Sequence, residues 1–223
     1  MKRILITSCL YMLIYAAFAQ KDELKKMSLD FEQLLLTNQT FHLPYTITVA
    51  SNMDTTVEHM DIDLYKSNDK DYLKMGKSQE VIHDGSLLLV VNHEARLMRM
   101  GIDTANAASN HVLISNFSAM IDSATSIQTH TKEGKLYYAL AFSSSYPYAS
   151  VEMMFSKKTK HLHHIDVRYS DAYPSEFRYI QIDYKEPDFT WVPEQDFPHT
   201  IKYVAKANGR YTVQDAYDGY KIY

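Results

Sequence analysis

The chain has 223 residues, with 23 Lys and Arg against 27 Asp and Glu, 18 Tyr and 9 Phe, but only six Gly, six Pro and one Cys. The acidic balance speaks against a phosphate-backbone partner and so against nucleic acid. The aromatic content and the lack of long polar tracts exclude a disordered chain, and the length fits one large domain.

Met1-Lys2-Arg3, an apolar run from Ile4 to Phe18, and Ala17-Phe18-Ala19 before Gln20 form a basic region, an apolar region and a small-x-small cleavage site. That is the layout of a signal peptide. A membrane-spanning helix takes about 20 apolar residues, and the polar segment QKDELKK from Gln20 arrives too early. The expectation is a periplasmic protein cleaved after Ala19, with 1-19 a signal peptide and 20-223 a single domain that does not span a membrane. A secreted or lipid-anchored protein is the weaker alternative. Cys9 ends a lipobox-like Ile-Thr-Ser-Cys, but three apolar residues precede it and the apolar run continues beyond it. Once Cys9 is removed, neither a disulfide nor a thiolate nucleophile is available.

Leu24, Met27, Phe31, Leu34 and Leu35 recur at helical spacing and predict an amphipathic helix over Lys21 to Leu36. From Leu43 the period becomes two. Tyr45, Ile47 and Val49 alternate with Thr46 and Thr48, and Met60, Ile62 and Leu64 alternate with Asp61 and Asp63 on a return strand from Val57 to Lys66. Short strands follow at Tyr72 to Met75 and at the QEVIH segment, then the Asp84-Gly85 hairpin signal, then Ser86 to Asn92 and Arg96 to Met100. Leu113, Phe117, Met120 and Ile121 predict a helix starting near Asn110.

Beyond it, apolar and aromatic runs at roughly ten-residue spacing, separated by turn residues, predict an antiparallel meander from Ser126 to Tyr184. The prolines of EPDFTWVPEQDFP make that stretch a loop. A last hairpin is expected over Ile201 to Val213 around Asn208-Gly209. Too few helices separate the strands for parallel crossovers. The reading is an α+β fold: a large curled antiparallel sheet, a half-barrel of about eleven strands, covered by two main helices.

Candidate catalytic groups are sparse. In HLHHID, His161 and His163 share one strand face while His164 and Asp166 take the other, one ligand short of a usual zinc site. A metal-dependent hydrolase is therefore a minor alternative, and no metal, cofactor or catalytic residue is assigned. His93-Glu94 lacks the second histidine of a zinc-protease helix, and Gly76-Lys77-Ser78 lacks the first glycine of a phosphate loop. The pairs Asp61 with Asp63 and Glu80 with Asp84 are expected on polar faces or at turns, solvated, without the apolar setting that raises a carboxyl pKa. His83, Asp84, His93 and Glu94 are expected as polar corners around Leu87 to Val91.

The more informative feature is strands that are apolar on both faces, in LLLVV (Leu87 to Val91) and LYYALAF (Leu136 to Phe142). Antiparallel sheets commonly leave one face wet, so these strands are expected to be covered on both sides, by a packed layer or an apolar cavity. The candidate cavity residues are Tyr45, Ile47, Val49, Met60, Ile62, Leu64, Leu73, Met75, Leu87, Leu89, Val91, Met98, Met100, Tyr138, Leu140, Phe142, Met153, Phe155, Ile165 and Val167. Several are methionines, whose flexible thioethers suit adaptable apolar sites.

FHLPYTITVA, HMDIDLYKSNDKDYLKM, EVIHDGSLLLVV, FSKKTKHLHHIDVRYS and FRYIQIDYKEPDFTWVPEQDF, in that order after a leader and an amphipathic helix, resemble the LolA/LolB-like superfamily of periplasmic lipoprotein carriers and their relatives. One departure is Ser67-Asn68, where carriers of the best-known type have Arg-Pro. The resemblance implies a half-barrel around an apolar pocket, no enzymatic activity, and an acyl chain, lipoprotein lipid moiety or other apolar molecule as ligand. A cell-envelope sensor or module binding an envelope protein partner is the alternative within the same fold.

Overall fold

A computed structural model describes residues 2–51, 56–68, 70–102, 117–173, 175–193, 197–207 and 210–223, with side chains from residue 19 onward except that of residue 207. The elements run α1 (Lys2–Thr37), β1 (Thr40–Ser51), β2 (Val57–Ser67), β3 (Lys70–Met75), β4 (Gln79–Asp84), β5 (Leu87–Asn92), β6 (Leu97–Ile102) and α2 (Phe117–Ser123). They continue as β7 (Ser126–Lys132), β8 (Lys135–Ala141), β9 (Tyr148–Ser156), β10 (Leu162–Tyr169), β11 (Phe177–Tyr184), β12 (Val204–Ala207), β13 (Arg210–Val213) and β14 (Lys221–Ile222). Among the described residues, no helix is long and apolar enough to cross a membrane.

Twelve strands pair in the order β14-β6-β5-β4-β3-β2-β1-β11-β10-β9-β8-β7, an open and mainly antiparallel sheet with one parallel pair among the described registers, and β12 and β13 form a separate hairpin. The exception is β14, parallel to β6 through Lys221 opposite Leu97 and Ile222 opposite Met98. This strand was not expected, because two residues show no periodicity. It also takes the sheet past the eleven strands anticipated. The helix expected from Asn110 is found over Phe117–Ser123, and Asn110 and Leu113 lie outside the described residues. The stretch expected to begin the last hairpin, Ile201 and Lys202, forms instead part of a 3-10 turn, Thr200–Lys202, ahead of β12.

The chain forms two compact units. In the first (residues 1–34, 47–59 and 116–184), α1 turns Leu24, Met27 and Phe31 inward at spacings of three and four residues, and all three are buried. Beneath them the register aligns Tyr138, Met153, Ile165 and Ile182 in one row, and Leu140, Val151, Val167 and Ile180 in the next. The Tyr138 hydroxyl donates to the Met27 sulfur at 3.4 Å, and the Phe31 ring meets Tyr184 edge-on at 6.3 Å. Lys25 Nζ lies 2.5 Å from Asp122 and ties α1 to α2. Deleting a side chain of this size from such a core costs about 3–5 kcal/mol.

The opposite face of these strands is only partly buried. Tyr137 and Ala139 are half-buried and Ala141 is exposed; Tyr137 pairs with Met154, Ala139 with Glu152 and Ala141 with Ser150, and farther along these rows His164 Nδ1 lies 2.6 Å from Asp183 and the Gln181 amide donates to Asp183 at 2.7 Å. The expectation of burial on both faces fails for β8. Alanine carries too little apolar surface to need a cover, and Tyr137 is satisfied by stacking on His130 at 4.6 Å.

The second unit (residues 35–46, 60–115 and 185–223) contains β2 from Met60 onward, β3 to β6 and the C-terminal segment. Register places Tyr65, Tyr72, Ile82, Leu89 and Met100 in one row on one face, and Leu64, Leu73, Val81 and Val90 in a row on the other. The first face carries a core of Tyr72, Ile82, Leu89, Val91, Met98, Tyr203 and Val204, against which Tyr211, Val213, Tyr217, Tyr220 and Ile222 pack. The C-terminal segment is thus the lid of this core.

Candidate ligand cleft

At the end of that face the cover is incomplete and leaves a cleft of about 530 Å³. Its floor is Leu87 of β5 with Met100, Gly101 and Ile102 of β6, one wall is Ile222 and Tyr223, and the other is Lys206 and Tyr211. Each wall has a local cause. Leu87 faces Ile102 across the β5–β6 pair, directly after the Asp84-Gly85 turn, where Gly85 adopts φ +67. An L residue at that φ is strained, so glycine keeps the turn tight and Leu87 at the mouth. The second wall stands because Tyr223 N–H donates to the Met98 carbonyl at 3.0 Å and Met100 N–H donates to the Tyr223 carbonyl at 3.1 Å. The third is the β12–β13 hairpin, in which Lys206 and Tyr211 are cross-strand partners. The Lys206 ammonium sits 5.2 Å from the centre of the Tyr211 ring.

A carboxylate anchors the lid. Glu80 accepts a hydrogen bond from the Tyr203 hydroxyl, lies 3.3 Å from His93 Nε2, and has a side chain only 15% exposed. His93 Nδ1 in turn is 2.9 Å from the Tyr220 hydroxyl, and Tyr217 packs on Tyr203 at 4.9 Å. Burial, and then the Glu80 charge and hydrogen bond, push the Tyr72 and Tyr203 phenols well above their ordinary pKa. These hydroxyls therefore stay protonated and serve as donors. Glu80 is accordingly not the solvated strand-face carboxylate expected from the sequence, because the C-terminal tyrosines close over it, whereas His93 does lie in the turn after β5.

Asp84 is also engaged. Burial alone would raise its carboxyl pKa, but Lys70 Nζ at 2.7 Å, with help from His199 and Thr200, holds it below the usual value. His83 is buried with its Nδ1 3.8 Å from the Asp71 carboxylate. Asp61 and Asp63 bind Thr46 and His42, each at 2.9 Å. Among the described residues, no three His, Cys, Asp or Glu side chains gather as metal donors; His161 instead contacts Phe31 at 6.0 Å between ring centres.

Two of the candidate cavity residues are among the described residues lining this cleft. Leu87 and Met100 line the cleft, and Leu89, Val91 and Met98 continue the same face as buried core. Ile62, Leu64, Leu73 and Met75 occupy the opposite face of β2 and β3, and Met60 of β2 is 41% exposed. Tyr45 is buried, which raises its phenol pKa to about 12, whereas Ile47 and Val49 are half-buried. Tyr138, Leu140, Met153, Phe155 and Ile165 are core of the first unit, Val167 is half-buried in the same sheet, and Phe142 stacks on Tyr146 at 5.0 Å. Ile102, Lys206, Tyr211, Ile222 and Tyr223 carried no signal in the sequence beyond the Tyr211 strand itself. Their proximity depends on a chain reversal and a two-residue strand.

No family profile and no curated protein sequence matches the chain. Solved structures do. A LolA superfamily protein of Nitrosomonas europaea is 10% identical, with 79% of this chain and 98% of that one covered at a TM-score of 0.38. The lipoprotein LppX of Mycobacterium tuberculosis is 13% identical, with 76% and 95% covered at 0.44. LprF of Mycobacterium bovis is 8% identical, with 75% and 93% covered at 0.39. The open, mainly antiparallel sheet with two helices is the α+β class expected from the sequence.

Proposed function

We propose that this is an exported, non-enzymatic binding or carrier protein that holds an acyl chain or other apolar ligand in the cleft between β5, β6 and the C-terminal segment. The observation that carries this reading is the cleft itself. At about 530 Å³ it has the size of a small-molecule site, and Leu87, Met100, Ile102 and Ile222 give it an apolar lining. Ile102 is 77% exposed, apolar surface that a ligand would remove from water. Each methylene so buried contributes about 0.8 kcal/mol, which makes a long chain a better occupant than a small polar metabolite. The leader-like start of the sequence supports export, and the family resemblance of its strands supports a carrier.

The test is displacement of a fluorescent fatty acid from the purified protein, alongside Leu87→Trp, which fills the floor of the cleft. The expected result is micromolar binding by the wild type and at least tenfold weaker binding by the variant, with thermal unfolding of the variant still cooperative. No binding of any lipid by the wild type, together with an organic extract of the purified protein empty of lipid, would sink the reading.

A further inference from the structure

We infer that the ligand is a single-chain amphiphile with an anionic head, a carboxylate or a phosphate, held by Lys206; this rests on the preceding reading and narrows it. Among the described residues lining the cleft, Lys206 is the one with a charged side chain. Its ammonium contacts the Tyr211 ring, and among the described residues no carboxylate lies within ion-pair distance. Elsewhere in the chain Lys25 is paired with Asp122 and Lys70 with Asp84, whereas Lys202 lies over Tyr203 as Lys206 lies over Tyr211. A cation left unpaired beside an apolar cleft complements a ligand that is apolar along its length and negative at one end. The aromatic face beneath it fixes the ammonium's position without neutralising it.

The volume sets the number of chains. A methylene takes roughly the space of one water in the liquid, about 30 Å³, so a cleft of about 530 Å³ accommodates one chain of sixteen to eighteen carbons. Two or three such chains, as in a diacyl phospholipid or a triacylated lipoprotein, exceed it.

The experiment compares palmitate, hexadecanol, a lysophosphatidylglycerol and a diacyl phosphatidylglycerol as competitors of one fluorescent probe, on wild type, Lys206→Met and Lys206→Arg. Methionine keeps the apolar stem and removes the charge, whereas arginine keeps a cation. The expected wild-type pattern is palmitate and the lysolipid bound about tenfold more tightly than hexadecanol, and the diacyl lipid at least tenfold more weakly than the lysolipid. Lys206→Met should bring palmitate to the level of hexadecanol without changing hexadecanol, and Lys206→Arg should restore the preference. Palmitate alone being preferred identifies the head as carboxylate, and the lysolipid alone identifies it as phosphate. Equal binding of acid and alcohol by the wild type, or an acid preference that survives Lys206→Met, overturns the role of Lys206 while leaving the cleft reading in place. Diacyl lipid binding as tightly as the lysolipid overturns the single-chain assignment. Failure of all four to compete overturns both readings at once.

Discussion

Replacing Tyr203 with Phe removes one hydroxyl and keeps the ring, so it isolates the bond that anchors the C-terminal segment. Tyr203 is fully buried and donates to Glu80, whose side chain is only 15% exposed. A hydrogen bond to a charged group is worth about 1.5–3 kcal/mol. Glu80 keeps His93 as a neighbour, which places the loss near the lower end, at about 1.5–2 kcal/mol. For a chain of this length that corresponds to a fall in Tm of about 3–8 °C.

A second signature separates this bond from a simple packing loss. Because the folded Tyr203 phenol is raised above its unfolded value, its contribution is complete below about pH 10 and is lost as the pH climbs toward the folded value. Each such group adds about 1.4 kcal/mol of lost stability per pH unit in that window. Tyr203→Phe should therefore be less stable than wild type at pH 7, yet lose stability less steeply above pH 10. Calorimetry or urea unfolding at pH 7, 10 and 11 reads both effects. An unchanged Tm at pH 7, or parallel losses above pH 10 in the two proteins, would refute the reasoning.

Lys70→Met should cost about 1–2 kcal/mol at pH 7, since the pair it makes with Asp84 is largely shielded from water. Asp84 has its pKa lowered by that pair, so the contribution is present above about pH 4 and disappears as the pH falls below it; the variant and wild type should converge in acid urea titrations. Phe31→Ala should cost about 3–5 kcal/mol, because the ring is 2% exposed and packs against Tyr184 and His161; equilibrium unfolding checks the value. Gly85→Ala should cost about 1 kcal/mol through backbone strain at φ +67 even though an added Cβ meets no atom within 4 Å. If Gly85→Ala melts at the wild-type temperature, the turn is not strained.

The local elements were written in short-range chemistry. Leu24, Met27 and Phe31 fix a helix and its inward stripe, because their spacing matches 3.6 residues per turn whatever lies opposite. Asp84-Gly85 fixes a hairpin, and the pairing of Leu87 to Val91 with the neighbouring strands follows from it. Those features, with the order of helix and strands, were enough for the α+β class and the large antiparallel sheet.

Which face of each strand meets water was decided by tertiary structure alone. Tyr137 to Ala141 look as apolar in sequence as Leu87 to Val91, yet the face carrying Tyr137, Ala139 and Ala141 is only partly buried and shares its rows with polar residues of β10 and β11. Glu80 reads as a solvated strand carboxylate until Tyr203, more than a hundred residues later, closes over it. The cleft has the same origin: Leu87, Lys206 and Ile222 carry no common pattern, and only the folding back of the C-terminal segment onto β6 makes them neighbours. Periodicity reports what a residue's own element will do, whereas burial and charge pairing depend on the partner that arrives. In this protein the partners of the cleft arrive from the last twenty residues of the chain.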